Sequence, residues 1–191
     1  MTDISLRRAV AVAAALNLAY FGIEFVVALR IGSVSLLADS ADFFEDAAVN
    51  FLICAALGWT VQLRARIGMV LAGVLLMPGL AFLWTLFQKF SAPIVPEPVP
   101  LTLTGFGALA INLFCAFMLA RFRHHGGSLT NAAFLSARND VLANIGIIGA
   151  GAVTALTNSI WPDILVGLAI ALMNLDAASE ECTAAREEYE E

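Results

Sequence analysis

The chain of 191 residues is 60% hydrophobic and only 14% charged, with a mean hydropathy of +0.85. This composition lies outside the usual range of soluble domains and is typical of membrane proteins, so the lipid bilayer is the predicted main solvent. The net charge of −6, which comes partly from an acidic C-terminus, argues against nucleic acid as a partner.

Six apolar stretches are long enough, or nearly long enough, to cross a bilayer. They cover residues 9–29, 34–58, 67–87, 101–120, 132–156 and 160–175. We therefore predict an all-α membrane protein, a six-transmembrane-helix bundle over residues 1–178 followed by a short acidic cytoplasmic tail over residues 179–191. The sixth stretch is shorter than the roughly 20 residues needed to cross, so five spans are the alternative.

The loops between the spans predict the orientation, because Lys and Arg are retained on the cytoplasmic side. Arg7, Arg8 and the arginines of the second and fourth loops fall on one side, against Arg30 and Lys89 on the other. Six spans then place both termini in the cytoplasm. The third loop, residues 91–100, holds four of the six prolines and is predicted to be an extended extracytoplasmic connection. Such compact loops suit a bacterial inner membrane.

Span two carries four acidic residues on or beside one helical face. They are Asp39, Asp42, Glu45 and Asp46. Asp42 and Asp46 are one turn apart, a spacing at which two carboxylates can bind one cation jointly. Because insertion costs roughly 2.5–3.5 kcal/mol per acidic side chain at a helix centre, these groups need a cation, protons, water or an arginine as compensation. A structural polar network without transport is the alternative.

Span five carries polar residues that complement the acidic face of span two. Ser136, Asp140 and Asn144 repeat on one face, with Asn139 beside them. Spans two and five enter the membrane from opposite sides, so their central residues can meet at the same depth. This predicts a metal site of Asp42, Asp46 and Asp140, with Ser136 or Asn144 as a further ligand.

Two adjacent histidines follow span four. His124 and His125 could collect metal at the cytoplasmic opening of the site, since imidazole is a common metal ligand. A solvated loop is the alternative interpretation.

The motif GSVSLLADSADFFEDA (residues 32–47), preceded by Asn17 and Glu24, resembles the first two spans of the cation diffusion facilitators, a family of metal and proton exchangers. The later stretches AFLSARNDVLANIGI and WPDILVG are similar to that family's spans five and six. The resemblance implies a ligand set of Asp42, Asp46, Ser136 and Asp140. It leaves four residues as further ligands or as groups that orient the ligands: Asn144, Asn139, Asp39 and Glu45.

The resemblance also implies that the chain exports a divalent transition metal (zinc, cobalt, cadmium, iron or manganese) in exchange for protons. Many members have histidine where this chain has Ser136, and a hydroxyl there favours a harder, oxygen-dominated site. The family's cytoplasmic domain, which supports dimerisation, has no room after Glu191, so we expect a short form whose homodimer would be held by membrane helices alone.

Other classes of function are disfavoured or remain as alternatives. The sequence has no GxxxxGK phosphate loop and no evident nucleophile and base pair, so we predict neither an enzyme nor ATP-driven transport. We expect no permanently bound cofactor, only the divalent metal ion as transported substrate. A non-transporting metal-binding accessory or sensor protein is the main alternative, and a passive cation channel is a further one.

Overall fold

The computed structural model describes residues 2–56, 80–120 and 127–174, which form six helical segments. These are α1 (Thr2–Ile31), α2 (Val34–Ala56), α3 (residues 80–91), α4 (Pro98–Ala120), α5 (Gly127–Thr157) and α6 (Trp161–Asn174). The described part of the chain contains no strand. The predicted all-helical fold is therefore confirmed over these residues.

Judged by length and composition alone, three stretches within the described helices could cross a membrane. They are Leu6–Ile31 of α1, Pro98–Ala120 of α4 and Asn139–Thr157 of α5. Helix α2 has the length but carries four acidic residues, and the described part of α6 is shorter. The six-span count and the cytoplasmic location of both termini remain predictions, and the predicted tail over residues 179–191 lies outside the described residues.

The outer surface of the helices is apolar, whereas many polar side chains are buried. Phe117 and Leu156 are among the large hydrophobic side chains that point outward, and Asn17, Glu24 and Asp39 are enclosed. A soluble protein would bury such large hydrophobic side chains and expose such polar ones. The surface therefore suits a hydrocarbon environment, and the interior suits polar chemistry.

Helices α1 and α2 form an antiparallel pair joined by a tight connection. Gly32 adopts a positive φ of 62°, and the Ser33 amide donates to the Ala28 carbonyl at 3.0 Å, as in a glycine-terminated helix end. The Ser33 hydroxyl then accepts the Leu36 amide at 3.2 Å and so caps the start of α2. This geometry turns the chain directly from α1 into α2.

A buried ion pair fixes the start of α2 against α3 and α6. Lys89 of α3 donates to Asp163 of α6 at 2.5 Å, and their side chains are 3% and 0% exposed. Asp163 also accepts the Ser33 hydroxyl at 2.6 Å, the Val34 amide at 2.9 Å and both the amide and the hydroxyl of Ser35. One carboxylate therefore satisfies several donors at a helix N-terminus, where negative charge is favourable.

The backbones of α2 and α6 come close together beside this ion pair. A Cβ atom on Gly167 would stand 2.9 Å from the Ser35 amide nitrogen and from the Val34 carbonyl carbon. Such contact is too short for any side chain, so Gly167 is required for this approach. The packing holds α6 where its far end reaches the acidic face of α2.

The predicted third loop is shorter than expected. Helix α3 includes residue 91 and α4 already begins at Pro98, which leaves residues 92–97 between them. Pro98 and Pro100 fit the first turn of α4 because the amide hydrogens there have no partner within the helix. Lys89, which the sequence placed among the extracytoplasmic loop charges, is a buried residue of α3.

Candidate metal site

The acidic face of α2 lies in the interior of the helix assembly. Asp39 is fully buried, and Asp42, Glu45 and Asp46 are half-buried. Helix α2 packs against α1 on one side and against α5 on another. The four carboxyl groups therefore point between helices, where lipid would not surround them.

A side chain of α6 donates a hydrogen bond to Asp42. The side-chain amide of Asn174, the last described residue of α6, donates a hydrogen bond to Asp42 Oδ1. The sequence did not single out Asn174, which lies within the sixth apolar stretch, residues 160–175. Its one sequence signal is that it is an amide within an otherwise apolar stretch.

A side chain of α1 donates a hydrogen bond to Asp46. Asn17, which is buried, donates from Nδ2 to Asp46 Oδ2 at 3.3 Å. The Asn17 Oδ1 atom in turn lies 3.8 Å from the Cys115 sulfur of α4, which donates to it. A chain of polar contacts thus links α4, α1 and α2 and fixes the Asn17 amide towards the carboxylate.

Asp140 brings α5 to the carboxylates of α2. Among neighbouring charges, Asp140 exerts the largest electrostatic effect on Asp42, and Asp46 exerts the largest on Asp140. The Asp140 and Asp46 carboxyl groups also come within hydrogen-bonding range of each other if one is protonated. The predicted meeting of spans two and five is therefore present in the structure.

Two amides of α5 differ in what they offer to this site. Asn144 is buried, and its Nδ2 donates to the Asp140 backbone carbonyl at 2.5 Å. Its Oδ1 receives no hydrogen bond from the described residues, so this oxygen is available as a ligand. Asn139 is exposed and lies on the outer surface of α5.

The carboxylates are neighbours but do not yet form a complete coordination shell. Within the described residues, no three His, Cys, Asp or Glu side chains are close enough together to hold a metal ion. Position 136 belongs to α5, but the Ser136 side chain lies outside the described atoms, as do His124 and His125. The ligand set predicted from the sequence therefore stays a prediction.

Comparisons with known proteins point to one family. A family model described as the cation efflux transmembrane domain matches residues 10–187. The chain is 26% identical to zinc transporter ZitB of Pectobacterium atrosepticum over 81% of this chain and 52% of that protein. It is 23% identical to zinc transporter ZitB of Yersinia pestis over 77% and 51%. The chain spans about half the length of these curated relatives.

Proposed function

Because this chain belongs to the cation diffusion facilitator family, we propose that it exports a divalent transition metal, zinc in the first place, in exchange for protons. It is an integral membrane protein of an all-helical transporter family. The proposed arrangement has six spans with both termini in the cytoplasm of a bacterium, in its inner membrane. The proposed ligands are Asp42, Asp46 and Asp140, with Ser136 and the Asn144 oxygen completing the shell.

The observation that carries the proposal is the meeting of α2 and α5 carboxylates inside the helix assembly. Asp42 and Asp46 are separated by one helical turn, and Asp140 is the neighbouring charge with the largest effect on Asp42. Three oxygen ligands from two helices suit a divalent cation, whose charge would offset most of theirs.

The amide partners of Asp42 and Asp46 support a cation site because an amide carries no charge. Asn174 and Asn17 orient Asp42 and Asp46 through amide hydrogens, which leaves the negative charge in place. Asp163 provides the contrast, since Lys89 neutralises it. A carboxylate held by amides still attracts a cation, whereas one paired with lysine does not.

Proton exchange follows from the chemistry of shared oxygen ligands. A divalent cation and protons compete for the same carboxylate oxygens, so binding of the metal releases protons. If the site opens alternately to the two sides, protons arriving from outside displace the metal there. An inward proton gradient would then drive net export, and no phosphate chemistry is needed.

The first test is metal flux in proteoliposomes. Purified protein is reconstituted with a metal-sensitive dye inside, and zinc, cobalt, cadmium, iron and manganese are added outside in turn. We expect saturable uptake of zinc that becomes faster when the vesicle interior is more acidic than the outside. Protein-free vesicles provide the control.

The outcomes of this flux test separate the three classes of function. Metal binding without flux of any metal would establish the accessory or sensor class instead. Flux that neither saturates nor responds to the imposed pH gradient would establish a passive channel. Uptake that follows the pH gradient supports the exchanger.

A second prediction concerns Asn174 and the metal affinity of the site. Replacing Asn174 by alanine removes the α6 donor to Asp42, so this carboxylate loses its orientation. Because outer partners of metal ligands are typically worth roughly 10–100-fold in affinity, we expect zinc binding to weaken by about that factor in isothermal titration calorimetry. Gln88→Ala, which changes an exposed amide of α3, is the matched control and should bind like the parent chain. An unchanged affinity in Asn174→Ala would contradict a role for Asn174 in the site.

A further inference from the structure

The start of α1 carries two adjacent arginines beside a pocket at the surface of the helix assembly. Arg7 and Arg8 are both exposed, and with Ala11 and Cys54 they line an open pocket of about 340 Å³. Ala11 lies about one helical turn further along α1, whereas Cys54 belongs to α2. The pocket therefore lies where two helices meet, and it combines positive charge with small, weakly polar side chains.

The wall of this pocket is held in place by packing between three helices. The Cys54 thiol donates a hydrogen bond to the Arg7 carbonyl, with sulfur and oxygen 3.6 Å apart. Beside it, Val10 of α1 and Leu119 of α4 form a buried cluster against which Cys54 packs. These contacts fix the backbone of Arg7 against α2, so the pocket is part of the packed helix assembly.

The length of α1 places the two arginines at the depth of the lipid headgroups. The apolar stretch Leu6–Ile31 has 26 residues, which at 1.5 Å per residue is about 39 Å, longer than the roughly 30 Å of a hydrocarbon core. Its ends therefore extend into the headgroup region, with Arg7 and Arg8 at one end and Arg30 at the other. The next exposed side chains after the pocket, Val12 and Leu18, are apolar. The pocket thus lies at the boundary between headgroups and hydrocarbon.

The charge of the pocket suits an anion. Within the described side chains, neither Arg7 nor Arg8 belongs to an ion pair. Asp3 lies one turn before Arg7 in the sequence and supplies one carboxylate against two guanidinium groups, so the start of α1 keeps a net positive charge. Guanidinium groups bind phosphate through paired, charge-assisted hydrogen bonds.

We propose that this pocket binds the phosphate headgroup of an anionic phospholipid, with an acyl chain along the exposed apolar face of α1. Arg7 and Arg8 contact the phosphate, and Ala11 leaves room for the first part of the chain. Basic pockets between transmembrane helices attract anionic headgroups, whereas free phosphate has no chain to cover the apolar surface. In the proposed orientation the lipid belongs to the cytoplasmic leaflet. The site does not depend on metal transport by the chain.

Binding of single lipids to the full chain in detergent, followed by native mass spectrometry, tests the proposal. Phosphatidylglycerol and phosphatidylcholine with the same acyl chains are titrated separately, and we expect the anionic lipid to bind more tightly. Each basic residue near a membrane surface contributes roughly fivefold to the binding of anionic lipid, so Arg7→Gln with Arg8→Gln should weaken this binding on the order of 25-fold. Arg30→Gln is the matched control, since it changes an exposed arginine at the other end of α1, and it should bind like the parent chain.

A second variant tests the pocket without changing its charge. Ala11→Trp keeps both arginines but fills the space beside them, so we expect weaker binding of phosphatidylglycerol. Size-exclusion chromatography shows whether each variant remains folded and monodisperse. Should the double arginine variant not fold, Ala11→Trp decides the question, because parental binding in that variant would place the lipid outside the pocket and overturn the proposal.

The other outcomes identify a different occupant. Equal binding of the two lipids would mean that charge plays no part, and equal losses in Arg30→Gln and the double variant would mean that the pocket plays none. Displacement of phosphatidylglycerol by inorganic phosphate at the same concentration would make free phosphate the ligand. Binding only after the acidic C-terminus is neutralised would make that segment of the chain the occupant. Each of these results would overturn the proposal.

Discussion

Replacing Asp46 by asparagine is expected to abolish zinc flux in proteoliposomes while the protein still folds. Asparagine has nearly the same shape and can still accept the hydrogen bond from Asn17, so the change removes charge and leaves the packing. Losing one of three charged ligands should weaken metal binding by more than the roughly 10–100-fold that loss of an outer partner costs. Asp140→Asn should behave in the same way.

A matched control separates loss of the site from loss of the fold. Glu97→Gln also removes one negative charge, but from an exposed position, and should transport zinc like the parent chain. Size-exclusion chromatography of every variant shows whether it remains folded and monodisperse. Wild-type flux in a well-folded Asp46→Asn protein would rule out the three-carboxylate site.

Spacing and depth were sufficient to predict that the acidic residues of span two meet Asp140. Helical periodicity fixes which residues share a face, and span direction fixes depth, so local information predicted this contact. Helix α2 begins at Val34, where the predicted span begins, because Gly32 and Ser33 form the connection that separates it from α1.

Contacts between distant segments could not be predicted in the same way. Asn174 meets Asp42 across 132 residues of sequence, and nothing in an apolar sixth span marks one amide as the partner of Asp42. Lys89 looked like a loop charge because it follows an apolar stretch. Its burial depends on Asp163, 74 positions later, so only the packing of α3 against α6 reveals it.

The roles of Asn17 and Glu24 illustrate the same limit on one helix pair. The sequence places both residues on one face of span one, seven positions apart. The structure separates them, since Asn17 donates to Asp46 and Glu24 faces the carboxyl group of Asp39. A spacing alone cannot tell an amide that orients a ligand from a carboxyl group that is buried elsewhere in the helix pair.

The buried ion pair between α3 and α6 gives the largest expected effect on stability. Asp163→Leu leaves Lys89 buried without a counter-charge and removes the acceptor for the Val34 and Ser35 amides. Removing one partner of a buried pair typically costs roughly 3–5 kcal/mol, so we expect a clearly lower unfolding midpoint for purified protein in detergent. Lys89→Met should cost less, about 1.5–3 kcal/mol, the worth of one hydrogen bond to a charged group.

The double variant Lys89→Met with Asp163→Leu decides which part of this network matters. If the unpaired lysine causes most of the loss, the double variant should be more stable than Asp163→Leu alone, because no charge is then left buried. It should still be less stable than the parent chain, since the amides at the start of α2 keep no acceptor. Equal midpoints for Asp163→Leu and the double variant would contradict the ion pair and leave the capping of α2 as the sole role of Asp163.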